Sequence, residues 1–275
     1  MDFAATDMQG AVLDGEAKVG QRDRAPVKRH EPFTIGSGKH ACLLVHGIAG
    51  SPAQMRNLAE GLADSGLKTR GTLLPGHGTD PGDLKGVVWQ DWYEHLYEEY
   101  RSLKEQHDKV FLVGFSIGAA LSAHYAAHNP VDGLALLNVP LCPLNDRFPT
   151  GLMLRIYGAF FKTVRGKAEK LIDKNGEPFS FVYDWVPTDI LRTMSELIDI
   201  VRNDLYKIRS PVLIIQSRGD KVSGGKSGPL AHRRVSSSVK RLVMLDQNGH
   251  SIMVGSDSRI VLKEVLGFFN GGEAR

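Results

Sequence analysis

Apolar residues in this chain gather in short runs that recur between longer stretches of mixed polarity. The runs Ala41–Val45, Thr72–Leu74, Val110–Val113, Leu134–Leu137, Val212–Ile215 and Leu242–Leu245 are too short for helices and end near Gly or Pro. Continuous apolar runs of this length predict strands buried on both faces, as in a parallel sheet. Between them the period changes. Trp89, Trp92, Tyr93, Leu96, Tyr100 and Leu103 fall at helical spacing, opposite Glu94, Glu98, Glu99 and Lys104. They predict an amphipathic helix whose aromatics pack in the core rather than around a cofactor. Ser51-Pro52 reads as an N-cap followed by Pro at the first helical position, with Gln54 completing a capping box. That helix should run to about Asp64, with Gly66 ending it. Alternation of strand and helix implies right-handed crossovers and an open, mostly parallel sheet, an α/β architecture.

The rhythm fails in two places. Residues 1–30 show no clear periodicity and close on Gln21-Arg22-Asp23-Arg24, so they read as an N-terminal arm or first edge segment. From about Cys142 to Tyr206 no strand run is visible, whereas Leu152–Phe161 and Ile190–Val201 look helical. This stretch is rich in aromatics, among them Phe160, Phe161 and Tyr183. Its length and its own apolar content predict a helical insertion. The expected division is a core of residues 31–142 and 207–275, with a cap at 143–206.

Composition narrows the field. With 275 residues, 42% of them hydrophobic, the chain can build one large α/β domain carrying an insertion. Net charge is only +3, and the basic clusters Lys28-Arg29 and Arg233-Arg234 are mere pairs, so no nucleic-acid partner is expected. The two cysteines, Cys42 and Cys142, sit in apolar surroundings and read as buried, inert thiols. The first residues are polar and acidic, unlike a secretory signal, and no apolar run approaches the roughly 18 residues of a membrane span. A soluble cytoplasmic protein, monomeric or a homodimer, is the expectation.

Candidate chemistry centres on Gly114-Phe115-Ser116-Ile117-Gly118, which fits the G-x-S-x-G pattern. It follows the predicted strand Val110–Val113 directly and opens the small-residue helix beginning Ala119-Ala120. A serine on such a sharp strand-to-helix turn is exposed at the sheet edge, with glycines allowing strand and helix to pass closely. Upstream, Val45-His46-Gly47-Ile48-Ala49-Gly50 runs from a strand into a glycine-bearing loop that can offer a backbone N–H, that of Ile48, beside that of Ile117. Downstream, Asp220 and His250 each lie just past a predicted strand, where open α/β sheets assemble their sites. The order Ser…Asp…His is the one a nucleophile elbow requires. Asp146 is the rival acid, and His46 and His77 read as structural or solvent-facing. No clustered His/Cys/Asp set shows metal-ligand spacing along the sequence, and no cofactor is expected.

These segments together (HG at 46–47, LPGHG at 74–78, GFSIG at 114–118, SRGDKV at 217–222 and NGH at 248–250) resemble the α/β-hydrolase superfamily. The similarity is closest to bacterial carboxylesterases and monoacylglycerol lipases with a small helical cap, and it covers roughly residues 39–270. It implies a catalytic triad of Ser116, Asp220 and His250, and an oxyanion hole from the main-chain N–H groups of Ile48 and Ile117. The implied reaction is acyl transfer from a carboxylic ester, of short to medium acyl length or a monoacylglycerol, without metal or cofactor. Phe160, Phe161 and Tyr183 are the candidates for an apolar acyl pocket. The alternatives on the same fold are another triad reaction (C–C bond hydrolysis, amide cleavage, perhydrolysis) and a ligand-binding receptor.

Overall fold

The fold follows from how each buried strand divides its side chains. A computed structural model of the chain describes residues 30–142, 163–165, 170–172, 178–181, 183–246 and 249–271. Its main sheet is built from β1 (Phe33–Ile35), β2 (Ala41–Val45), β3 (Lys68–Thr72), β4 (Val110–Phe115), β5 (Gly133–Leu137), β10 (Val212–Ser217) and β11 (Lys240–Leu245). They lie in the order β1-β3-β2-β4-β5-β10-β11, all parallel except β1, which runs antiparallel to β3. Because successive side chains point to opposite faces, Leu43, Leu112, Leu134 and Ile214 enter one core, while Leu44, Val113, Ala135 and Ile215 enter the other. Both cores are closed by helices, which is why these strands read as unbroken apolar runs. The exceptions are β1 and β3, which carry exposed or partly covered polar residues, and β11 at the sheet edge, where five of six residues are only partly buried.

Among the described residues six α-helices cover the faces: α1 (Arg56–Asp64), α2 (Trp89–Gln106), α3 (Ile117–His128), α4 (Thr188–Asp204), α5 (Ser227–Arg234) and α6 (Ser256–Phe269). The aromatic stripe of α2 is core, as its period requires: Trp92, Leu96, Tyr100 and Leu103 are all buried. Helix α3 is buried almost all round and packs under the sheet from Ser116 onward. Among the described residues no helix is long and apolar enough to cross a membrane.

Besides the run Thr72–Leu74, of which only Thr72 falls in a strand (β3), three sequence expectations differ from the structure. The predicted helix from Ser51 begins instead as a 3-10 turn, Pro52–Met55, before α1. Its capping box does not form, because Gln54 Oε1 accepts the Gly47 amide at 3.1 Å and Ser51 Oγ bonds His30 Nδ1 at 3.0 Å. Tertiary partners outcompete the local cap. Second, the described residues of the stretch read as strandless hold four short strands, β6 (Thr163–Arg165), β7 (Lys170–Ile172), β8 (Pro178–Phe181) and β9 (Trp185–Pro187). They pair antiparallel as β6-β9 and β7-β8. At three or four residues each they are too short to show a period. The expected helix near Ile190–Val201 is α4, and it buries Ile190, Leu197 and Val201 in the same cluster as the sheet. The expected helix Leu152–Phe161 lies outside the described residues. Third, Cys42 is fully buried, which pushes its thiol pKa well up, but Cys142 is only partly covered.

Candidate active site

Ser116 stands at the turn between β4 and α3 with φ 55° and ψ −123°, in the region an L-residue adopts only under strain. The flanking glycines make that turn possible. A Cβ on Gly114 would fall 2.3 Å from the Gly118 carbonyl oxygen, and one on Gly118 would fall 2.4 Å from that of His46. Two bonds brace the turn, from Ser116 N–H to Leu137 O (2.9 Å) and from Ala119 N–H to Ser116 O (2.9 Å). Ser116 is thereby held at the C-terminal edge of the central strands with its side chain 5% exposed.

Two loops bring partners to it. The loop after β11 carries His250, whose Nε2 lies 3.0 Å from Ser116 Oγ. The loop after β10 carries Asp220, whose Oδ2 lies 2.9 Å from His250 Nδ1. Phe115 tilts beneath the imidazole at 5.0 Å between ring centroids. The carboxylate is fully enclosed, while the His250 side chain keeps 17% exposure. Burial by itself raises the Asp220 pKa, but the hydrogen bond and charge of His250, with the Ser223 and Val222 amides, outweigh it. The carboxyl is held below the usual aspartate range. Those two amides donate to Oδ1 at 2.9 and 2.8 Å, and Gln216 Nε2 reaches Oδ2 at 3.3 Å. Every lone pair that faces away from His250 is thus engaged by a neutral donor, and an ionised Asp220 is the form this cradle suits.

Two residues that sequence reasoning passed over hold this arrangement. Asn138 directly follows β5, has φ 47° and is fully buried. Its Nδ2 donates to the His250 carbonyl at 2.7 Å, and its Oδ1 accepts the Ser217 amide at 2.8 Å. Ser223 Oγ donates to the Asn138 carbonyl at 2.8 Å and lies 3.3 Å from His250 Nδ1. The signal for Asn138 was available, since it occupies the position just past a parallel strand that singled out Asp220 and His250.

The other predicted residues fall as follows. Ile117 opens α3, so its N–H is among those with no acceptor inside the helix. Ile48 sits in the loop after β2, partly buried against the core. That loop is shaped by Gln54 on the Gly47 amide, by Ala49 at φ 58°, and by Tyr183, whose N–H donates to Ala49 O at 2.8 Å. The Tyr183 hydroxyl accepts from Thr79 N–H at 3.0 Å, and its ring stacks on His77 at 6.4 Å. Its polar end therefore ties loops together at the rim of the site. Phe160, Phe161 and the rival acid Asp146 lie outside the described residues. His46 and His77 are buried, not solvent-facing.

A strained serine turn after a central parallel strand, with acid and imidazole delivered by the loops after β10 and β11, defines the α/β-hydrolase class of fold. Within it, the chain belongs to the serine aminopeptidase S33 family (Hydrolase_4), whose pattern matches residues 36–257. The chain is 27% identical over 242 residues to a carboxylesterase of Bacillus subtilis (strain 168), covering 86% of this chain and 95% of that protein. It is 28% identical over 247 residues to a thermostable monoacylglycerol lipase of Bacillus sp. (strain H-257), covering 87% and 94% respectively. Among solved structures, one from the metagenome-derived lipolytic enzymes LipS and LipT superposes with a TM-score of 0.79 at 26% identity, over 88% of this chain and 98% of that one. A monoacylglycerol lipase of Paleococcus ferrophilus shares the fold, with a TM-score of 0.73 at 16% identity over 88% and 98%.

Proposed function

We propose that the protein is a serine carboxylic ester hydrolase acting on short- to medium-chain acyl esters or monoacylglycerols. The observation that carries this reading is the continuous path from Ser116 Oγ through the imidazole to the enclosed Asp220 carboxylate, with contacts of 3.0 and 2.9 Å. The lipolytic and esterase relatives favour an ester over the other bonds such a triad can cleave.

His250 Nε2 takes the proton of Ser116 as its oxygen attacks the ester carbonyl. Asp220 fixes the imidazole with its proton on Nδ1 and stabilises the imidazolium that forms. The N–H groups of Ile48 and Ile117 receive the developing oxyanion, each contributing about 3–4 kcal/mol by the measure of comparable donors. His250 then returns the proton to the departing alcohol, leaving an acyl group on Ser116. Water, deprotonated by the same imidazole, attacks that acyl-enzyme, releases the acid and restores the serine. The insertion expected at 143–206 is the candidate cover for the acyl group, with Phe160, Phe161 and Tyr183 as the candidate pocket residues.

The test is hydrolysis of p-nitrophenyl esters from acetate to palmitate by wild type and Ser116→Ala. Turnover that peaks at a short or medium chain and disappears in Ser116→Ala is expected. Undiminished turnover in the variant would remove Ser116 from the reaction, and a folded wild type inert on every ester would remove the ester reading.

A further inference from the structure

On the far side of α3 from its opening turn, a second group of side chains has ligand chemistry that the triad does not use. His124 and His128 stand four residues apart on α3, so their rings share one face of the helix. Asp204, the last residue of α4, meets them from the neighbouring helix, with its Oδ2 3.0 Å from His128 Nε2. One ligand atom from each of the three lies within 4.8 Å of the others. His124 is 9% exposed, and its Nδ1 is sealed from solvent without a hydrogen-bond partner. The rings of Trp89 and Tyr93, each 5.1 Å away, hold that imidazole in place. His40 Nδ1, His77 Nε2 and His107 Nε2 are enclosed in the same way, and what singles out His124 is its place beside His128 and Asp204.

We propose that His124, His128 and Asp204 form a transition-metal site, suited to zinc, that clamps α3 to α4. Two imidazoles and one carboxylate suit Zn²⁺, whereas Mg²⁺ and Ca²⁺ require sets of oxygen ligands. Tetrahedral zinc with bonds of about 2.0–2.1 Å spaces its ligand atoms roughly 3.3–3.5 Å apart. The present spacing of up to 4.8 Å closes to that by a side-chain rotation. His128, whose side chain is 40% exposed, makes it by exchanging its 3.0 Å contact with Asp204 for a shared metal, and leaves the fourth position to water. The opposing group is Lys207, whose Nζ lies 2.7 Å from Asp204 Oδ1. It occupies one carboxylate oxygen and leaves Oδ2 turned toward the histidines. Sequence spacing did not show the site because its third ligand arrives 76 residues after His128. The site stands on the C-terminal half of the 12-residue α3, about 12–18 Å along the axis from Ser116, so its effect falls on stability rather than turnover.

The experiment uses the full chain, stripped with chelator and exchanged into chelator-free buffer, with ZnCl2 as the probe in calorimetric titration and thermal melts. One zinc per chain is expected, with Tm rising roughly 5–10 °C at a hundredfold excess over Kd. MgCl2 and CaCl2 should give no rise. His128→Gln and Asp204→Asn, both near the surface, should melt like wild type without metal, lose the zinc-dependent rise and hydrolyse esters within about twofold of wild type. Lys207→Gln should bind zinc more tightly. Absence of a rise in wild type, a rise retained in both variants, or binding removed only by His250→Ala would overturn the assignment.

Discussion

His46 and His250 flank the same serine turn, and their contrast shows how partners decide what an imidazole is available to do. His46 follows β2 directly, and its carbonyl lies against Gly118. Its Nε2 accepts the Leu74 amide at 3.1 Å, so the ring proton must sit on Nδ1, which donates to Gly47 O at 2.8 Å. Both nitrogens are consumed by backbone, and burial with the nearby His77 drives its pKa far below the ordinary value of 6.5. His250 bonds side chains instead: a carboxylate on one nitrogen and a hydroxyl on the other, with part of the ring open to solvent. The same residue type is a brace where its partners are fixed amides, and a candidate base where they are an anion and a movable proton.

The comparison can be broken most sharply at His250. His250→Ala should lower kcat by roughly 10⁴–10⁶ in protein that still folds, with a lower Tm because the enclosed Asp220 carboxylate loses its partner. A loss below tenfold would show that the imidazole is not the base. Asp220→Asn should cost kcat about 10⁴, since the amide favours the wrong tautomer of His250. An equal fall in stability and activity there would instead mark Asp220 as a folding residue.

Asn138→Ala releases the His250 carbonyl and the Ser217 amide together. Its kcat should drop by up to about 10²-fold at little change in KM, because the base is misplaced rather than removed. Rescue by Asn138→Asp should be incomplete, as a carboxylate cannot donate to the His250 carbonyl. His46→Ala should reverse the pattern of His250→Ala, destabilising the fold by about 2–4 kcal/mol through an unpartnered Leu74 amide and a buried void. Hydrolysis measured well below its Tm should stay within about tenfold of wild type.

The smallest effect is a pH profile that separates the two kinds of site. Burial holds His77 down to about 4, although the carbonyls of Pro75 and Leu74 pull the other way. Between its ordinary 6.5 and about 4 the unfolded chain therefore binds more protons than the folded one. The stability from His46 and His77 is complete above pH 6.5 and declines as pH falls toward 4 and below. That from Asp220 persists below pH 5, and is lost only as pH falls through its ordinary 3.8 and its lowered folded value. Melts of wild type and His77→Gln from pH 7 to 4 should show a shallower decline in the variant, and identical slopes would place His77 in solvent.

Much of this site was legible in order and spacing. Ser116 was marked by flanking glycines and a preceding strand, and Asp220 and His250 by their places past β10 and β11. Asn138, Ser223 and Gln216 were not singled out, because polar residues near strand ends are common and only their mutual distances show one connected network. Gln54 was misread for a related reason. Its spacing from Ser51 satisfies a capping box, yet the loop after β2 folds within reach and takes its carbonyl oxygen.

By itself the sequence determined the strand–helix alternation, the two-faced burial of the central strands and the choice of Ser116, Asp220 and His250 as candidates for one site. Each depends on periodicity or on a residue's place along its own element, which the chain carries locally. Tertiary structure alone decided which acid touches which imidazole, which histidine is sealed among amides, and that Asp204 meets His124 and His128. Those outcomes depend on the meeting of segments 30 to 134 residues apart, such as Asp220 with His250 and His250 with Ser116. Loop closure and packing set such meetings, and no local pattern encodes a distance across the sheet edge.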